Sequence, residues 1–168
     1  YYFSPTQALT FDAMLQSLPK EESLRTVCLA SIIIAASQCV ASPGHTAQPF
    51  KAKRTAGKYL REAWLRDPLV YTKRALRNLA PKHATIEGNT IVDDALNVIN
   101  SLNPTDLVFV DPPYSGVHYS RFYHVLETIA RGKCGPVEGA GRYPPPDERP
   151  TSSFSRKSES RDALQSLL

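Results

Sequence analysis

Cysteine is too scarce and too irregular here to build anything covalent: Cys28, Cys39 and Cys134 are odd in number and form no zinc-ligand spacing. A disulfide framework is therefore not expected, whereas reduced thiols in a cytoplasmic protein are. Histidine is equally sparse, and His45, His83, His118 and His124 show no paired spacing that suggests a metal. Long hydrophobic runs are missing as well. The most apolar stretch, Val27 to Ala36, is only about half of what crosses a bilayer, so it reads as a buried core helix and no membrane partner is expected. No cationic segment followed by a small-residue cleavage pattern opens the chain.

What is present suffices for one sizeable core: 168 residues, 42% hydrophobic and 21% charged. The formal charge of +4 favours polyanionic partners, and its distribution is more telling than its size. Lys51, Lys53, Arg54, Lys58, Arg61, Lys73, Arg74 and Arg77 crowd a stretch whose acidic residues are Glu62 and Asp67. With Tyr59, Trp64 and Tyr71 interleaved, these cations are candidates for contacting nucleic-acid phosphates. The same spacing also suits a solvated helix face, with Leu60, Trp64 and Leu65 turned to the core; both readings stay open.

Punctuation divides the chain. Ser4-Pro5 is a capping hydroxyl followed by a first-turn proline, and it predicts a helix whose apolar stripe is Leu9, Met14, Leu15 and Leu18, ended by Pro19. A second helix is expected over 20–41, stopped by Ser42-Pro43-Gly44, and two more over 55–65 and 68–79. Beyond Pro81 the pattern becomes α/β. Thr85-Ile86-Glu87 and Thr90-Ile91-Val92 are strand candidates, Asp94 to Leu102 a short helix, and Asp106 to Val110 an apolar strand of the buried parallel kind. A helix over 119–131, a glycine- and proline-rich loop over 136–154 and a terminal helix follow. The loop reads either as a cover over nucleic acid or as a passive connection. The division expected is a helical segment at 1–50, a basic helical insertion at 51–81 and an α/β catalytic portion at 82–168.

Asp111-Pro112-Pro113-Tyr114 directly follows the apolar strand, where open parallel sheets bind ligands. The two rings fix φ and offer no N–H, so the loop is stiff and presents acceptors. An exocyclic amine on a heteroaromatic ring is a poor nucleophile because its lone pair is delocalised. An Asp111 carboxylate and a Pro112 carbonyl aimed at its two N–H bonds would draw the nitrogen toward tetrahedral geometry, while Tyr114 stacks on an extruded base. A rigid strand-exit turn is the plainer reading, yet this tetrapeptide should arise by chance in roughly one in a thousand chains of this length.

Residues Asp106 to Tyr114 resemble the catalytic strand and loop of the N6-adenine DNA methyltransferases. Tyr119-Ser120-Arg121-Phe122-Tyr123-His124, Gly44 to Lys51, and Tyr2-Phe3-Ser4-Pro5 are similar to segments of bacterial enzymes of that type. The resemblance implies methyl transfer from S-adenosylmethionine to adenine N6 in DNA, as in restriction-modification. It makes Asp111, Pro112, Pro113 and Tyr114 the amine site, and puts Asp94, or Asp93, near the adenosyl part of the cofactor. It also implies an α/β fold, a partial Rossmann-like methyltransferase sheet with helices plus the basic helical insertion. No Phe-x-Gly-x-Gly type loop for the methionine end is found in 1–168. The expectation is thus a piece of a longer enzyme, the loop lying upstream or on a companion chain. The alternatives are an RNA exocyclic-amine methyltransferase and an inactive nucleic-acid-binding fragment. His118 and His124 flank the helix after the tetrapeptide, where either could approach a substrate, although a lone histidine is more often structural.

Overall fold

The computed structural model describes residues 1–113, 120–149 and 151–168. Among them are seven α-helices: α1 (Pro5–Gln16), α2 (Glu22–Cys39), α3 (Gly57–Trp64), α4 (Pro68–Leu79), α5 (Ala95–Ile99), α6 (Ser120–Arg131) and α7 (Ser160–Gln165). Short 3-10 turns occupy Pro146–Glu148 and Ser153–Ser155. The chain forms two compact units, residues 1–83 with 120–148, and residues 84–119 with 149–168.

The first unit is helical, and its boundaries follow local chemistry. Ser4 and Gln7 close a reciprocal capping box at α1: the Ser4 hydroxyl accepts from the Gln7 N–H (3.2 Å) and the Gln7 side-chain oxygen from the Ser4 N–H (3.0 Å). The Gln7 amide nitrogen then donates to the carbonyls of Ala63 and Arg66, both at 2.9 Å, joining the Arg66 N–H on the former and tying α1 to the end of α3. At α4, Asp67 accepts from the Leu69 N–H at 2.8 Å and Pro68 supplies the first turn. The core joins Phe11 of α1, Ile32, Ala35, Ala36 and Cys39 of α2, and Ile129 of α6. Alanines on α2 let α4 approach closely, and α2 makes its main contacts with that helix. Of the stripe expected on the first helix, Met14, Leu15 and Leu18 pack against this core, whereas Leu9 is 70% exposed, and Phe11 faces inward with Gln7. Leu65 likewise stays in solvent, at 78% exposure.

In the second unit the expected Rossmann-like sheet is not present. Thr85 to Glu87, Thr90 to Val92 and Asp106 to Val110 form no strand, and the bridge between Glu138 and Tyr143 in the first unit is isolated. Apolar, β-branched composition favours a strand only when neighbouring strands take its N–H and C=O groups and a second layer covers its faces. Neither is supplied to 106–110 by the described residues, and Leu107 is 100% and Phe109 90% exposed. The described fold is therefore helical, with irregular connections, and not α/β. The helix expected over 94–102 survives as the shorter α5, with Asp94 as its N-cap. In this unit α7 packs on the 3-10 turn Ser153–Ser155.

Candidate functional site

In the second unit the Asp111-Pro112-Pro113 segment leaves Asp111 exposed and both prolines half-buried. The Pro113 carbonyl lies 3.5 Å from the Ser155 hydroxyl, a long contact that brings the 3-10 turn against the proline loop. Two concavities meet here. One is an open cavity of about 610 Å³ whose wall includes Asp93, Asp94, Pro112, Pro113, Phe154 and Arg156. The other is an apolar groove of about 330 Å³, with Val98, Leu102, Val108, Asp111, Pro112 and Phe154 among its lining residues. Ala95, Pro112 and Phe154 border both. Each volume falls within the range usual for small-molecule sites.

The acidic corner of the larger cavity is organised by its own chain. Asp94 Oδ1 accepts from the Leu96 N–H at 2.9 Å, capping α5. Asp93 Oδ1 accepts from the Asn97 side chain (2.9 Å) and from the Asp94 N–H (2.7 Å). These bonds, that from Asn97 foremost, hold the Asp93 carboxyl below the usual carboxylate range. Opposite charge comes from Arg156, which donates to both carboxylate oxygens of Glu159 at 2.8 and 2.9 Å and thereby lowers the Glu159 pKa. Anionic and cationic groups thus share one open wall, suited to a polar ligand with both kinds of functional group.

Of the residues singled out in the sequence, Asp94, Pro112 and Pro113 line the larger cavity together, and Asp111 and Pro112 line the groove. Tyr114 and His118 lie outside the described residues. Phe154, Ser155 and Arg156 were not singled out; the only local signal was an aromatic ring set in a run of serines, at Ser152-Ser153-Phe154-Ser155.

His124 is not among the residues that line these two concavities. It is 6% exposed in the first unit, with Nε2 2.9 Å from the Gly141 carbonyl and its ring edge-on to Tyr2 (5.7 Å) and Tyr143 (5.2 Å). Burial lowers its pKa, outweighing the carbonyls of Gly141, Arg121 and Ser120, which favour a proton. The Tyr2 hydroxyl, pushed up to about 12 chiefly by burial, bonds the carbonyls of Thr46 (2.8 Å) and Gly141 (2.9 Å). This cluster ties the segment around Gly44 to Phe50 to α6 and to the turn at 138–143. Its role is architectural.

The basic candidates belong to the first unit. Lys51, Lys53, Arg54, Lys58, Arg61, Lys73, Arg74 and Arg77 are all exposed. Lys73, Arg74 and Arg77 occupy the solvent side of α4, away from buried Pro68 and Ala75, and Arg74 covers the Tyr71 ring at 5.0 Å. Arg66 is different: it pairs with Glu62 at 3.2 Å and donates to the Gln38 carbonyl at 2.5 Å. No helix of the described residues is long and apolar enough to cross a membrane, and among them no group of three or more His, Cys, Asp or Glu could hold a metal ion.

Neither a comparison with curated proteins nor one with solved structures returned a match. The model of one family does match, and it covers most of the helical first unit together with Asp93, Asp94 and the Asp-Pro-Pro segment: over residues 14–141 this chain belongs to the D12 class N6 adenine-specific DNA methyltransferases.

Proposed function

We propose that this chain carries the substrate-amine site of an enzyme that moves a methyl group from S-adenosylmethionine to N6 of adenine in DNA. The observation that carries the reading is the stiff Asp111-Pro112-Pro113 segment at the meeting of an apolar groove and an acid-lined cavity, in a member of this family. The Asp111 carboxylate and the Pro112 carbonyl each accept one amine hydrogen. The nitrogen lone pair, withdrawn from the purine ring, forms the new N–C bond as the S–CH₃ bond breaks, and the surplus N6 proton leaves along the hydrogen bond to Asp111. Tyr114 stacks on the extruded base, offsetting part of an unstacking cost of about a few kcal/mol.

The residues of the larger cavity fit the cofactor. Asp94 and Asp93, each with one carboxylate oxygen already engaged by α5 or its cap, suit ribose hydroxyls or an ammonium group, and Arg156 suits a carboxylate. When bound, S-adenosylmethionine supplies the electrophilic methyl. The exposed cations at 51–77 hold DNA phosphates, which makes 51–81 the DNA-contacting stretch and 82–168 the catalytic portion.

Tritiated-methyl transfer to mixed-sequence DNA and to ribosomal RNA tests the reading. Label in DNA as N6-methyladenine that D111A abolishes, with DNA affinity within about twofold of wild type, supports it. Label confined to RNA, or strong turnover by D111A, overturns it.

A further inference from the structure

Phe154 has no task in the reaction as described, yet of the site's side chains it is the aromatic one that borders both concavities. It sits half-buried in the 3-10 turn Ser153–Ser155, against which α7 packs. The next residue, Ser155, meets the carbonyl of Pro113, so the ring is held beside the segment whose Asp111 and Pro112 supply the acceptors. One side of it meets the apolar groove with Val98, Leu102 and Val108, and the other meets the larger cavity, where Asp93, Asp94 and Arg156 share the lining. A phenyl ring offers neither donor nor acceptor. What it can give a planar ligand is a face.

We infer that Phe154 is an aromatic wall on which the extruded adenine stacks while Asp111 and Pro112 hold its amine edge. This rests on the proposed reaction and adds a base-contacting residue to it. Edge acceptors fix the amine in the plane of the base but leave the ring free to tilt about that edge. A stacked ring removes the tilt, and with it the misalignment of nitrogen and methyl carbon. Because every base has a π-face, the contact governs how long the base stays seated and how well it is aligned, with little influence on which sequence is bound.

The experiment compares wild type, F154A, F154L and F154W in the enzyme that this chain belongs to, with the loop for the methionine end of the cofactor present. Methyl transfer to mixed-sequence DNA, DNA affinity and thermal melting are measured on each. F154A and F154L are expected to lose about tenfold in kcat, in line with the loss of one base–aromatic stack, with DNA Kd within about twofold of wild type. F154W is expected to keep most of the rate, and its added indole emission, read above the Trp64 background of the wild type, to be quenched by single-stranded DNA. A wild-type rate in F154L, or indole emission indifferent to DNA, overturns the role of Phe154 and leaves the proposed reaction standing. No methyl transfer by the wild type overturns the reaction and this inference with it.

Discussion

His124 Nε2 lies 2.9 Å from the carbonyl oxygen of Gly141, seventeen residues on, and this contact pins α6 to the turn at 138–143. The bond is made by the neutral ring, with Nε2–H donating, while the unprotonated Nδ1 receives no donor among the described residues. Burial holds the folded-state pKa below the unfolded value of about 6.5. The unfolded chain therefore binds the proton more readily. The contribution of His124 is fully present above about pH 6.5 and is lost as the pH falls toward and through the lower folded value. Urea midpoints are expected to drop between pH 7.5 and 5.5, and H124Q, which retains a donor, to flatten that dependence. An unchanged pH profile in H124Q would show that another group is responsible.

Gly141 is required by space. A Cβ there would overlap the Tyr143 ring and the Ala47 carbonyl oxygen, which themselves share a hydrogen bond. G141A is expected to cost about 1–3 kcal/mol by overpacking. A methyl group on Gly57 of α3 would meet nothing within 4 Å, so G57A should be neutral or stabilising by up to about 1 kcal/mol. Chemical denaturation of the two variants checks the contrast.

Gln7 uses its oxygen on the Ser4 N–H and its nitrogen on the carbonyls of Ala63 and Arg66. Q7L removes both of these hydrogen bonds and is expected to destabilise by about 1–3 kcal/mol. Q7E keeps the oxygen but turns a carboxylate toward two carbonyls, and its loss of stability should be larger and should shrink at low pH. Equal stability of Q7L and wild type would remove the role assigned to the side chain.

The thiols should separate by reactivity. Cys39 is fully buried, and burial pushes its pKa up to about 11, whereas Cys134 is exposed and Cys28 half-buried. With a thiol-reactive dye at pH 8, Cys134 should label first and Cys39 only as the protein unfolds. Rapid labelling of Cys39 in the folded protein would contradict its position in the core.

On the solvent side of α4, Lys73, Arg74 and Arg77 are expected to act as phosphate contacts. Replacing each with alanine should lower the slope of log Kobs against log salt by about 0.9 in magnitude. Slopes equal to wild type in all three would move the DNA surface elsewhere.

Much of this protein is written locally. Ser4-Pro5, Asp67-Pro68 and Asp94 mark helix starts because caps act within one turn of backbone, so their residues suffice to identify them. The proposed amine site at Asp111 to Tyr114 is likewise read locally, since the stiffness of adjacent prolines and the chemistry of a neighbouring carboxylate do not depend on distant residues. Side-chain facing is less legible: α1 buries Phe11 and Gln7 and exposes Leu9, a choice made by α2 and by the carbonyls at the end of α3. The expected sheet is where local reading fails most. Val108, Phe109 and Val110 have the composition of a buried strand, but a strand exists only through hydrogen bonds to other segments, and the described residues provide none.

Sequence alone thus determined where helices begin, because a helix start is a property of a few consecutive residues, and the proposed amine site is read from the same short range. Tertiary structure alone decided that His124 is sealed between tyrosines, that Gln7 closes α3, and that Phe154 stands beside Pro112. Those relationships join residues tens of positions apart. Their energies come from burial and from hydrogen bonds made only after the chain has folded back on itself.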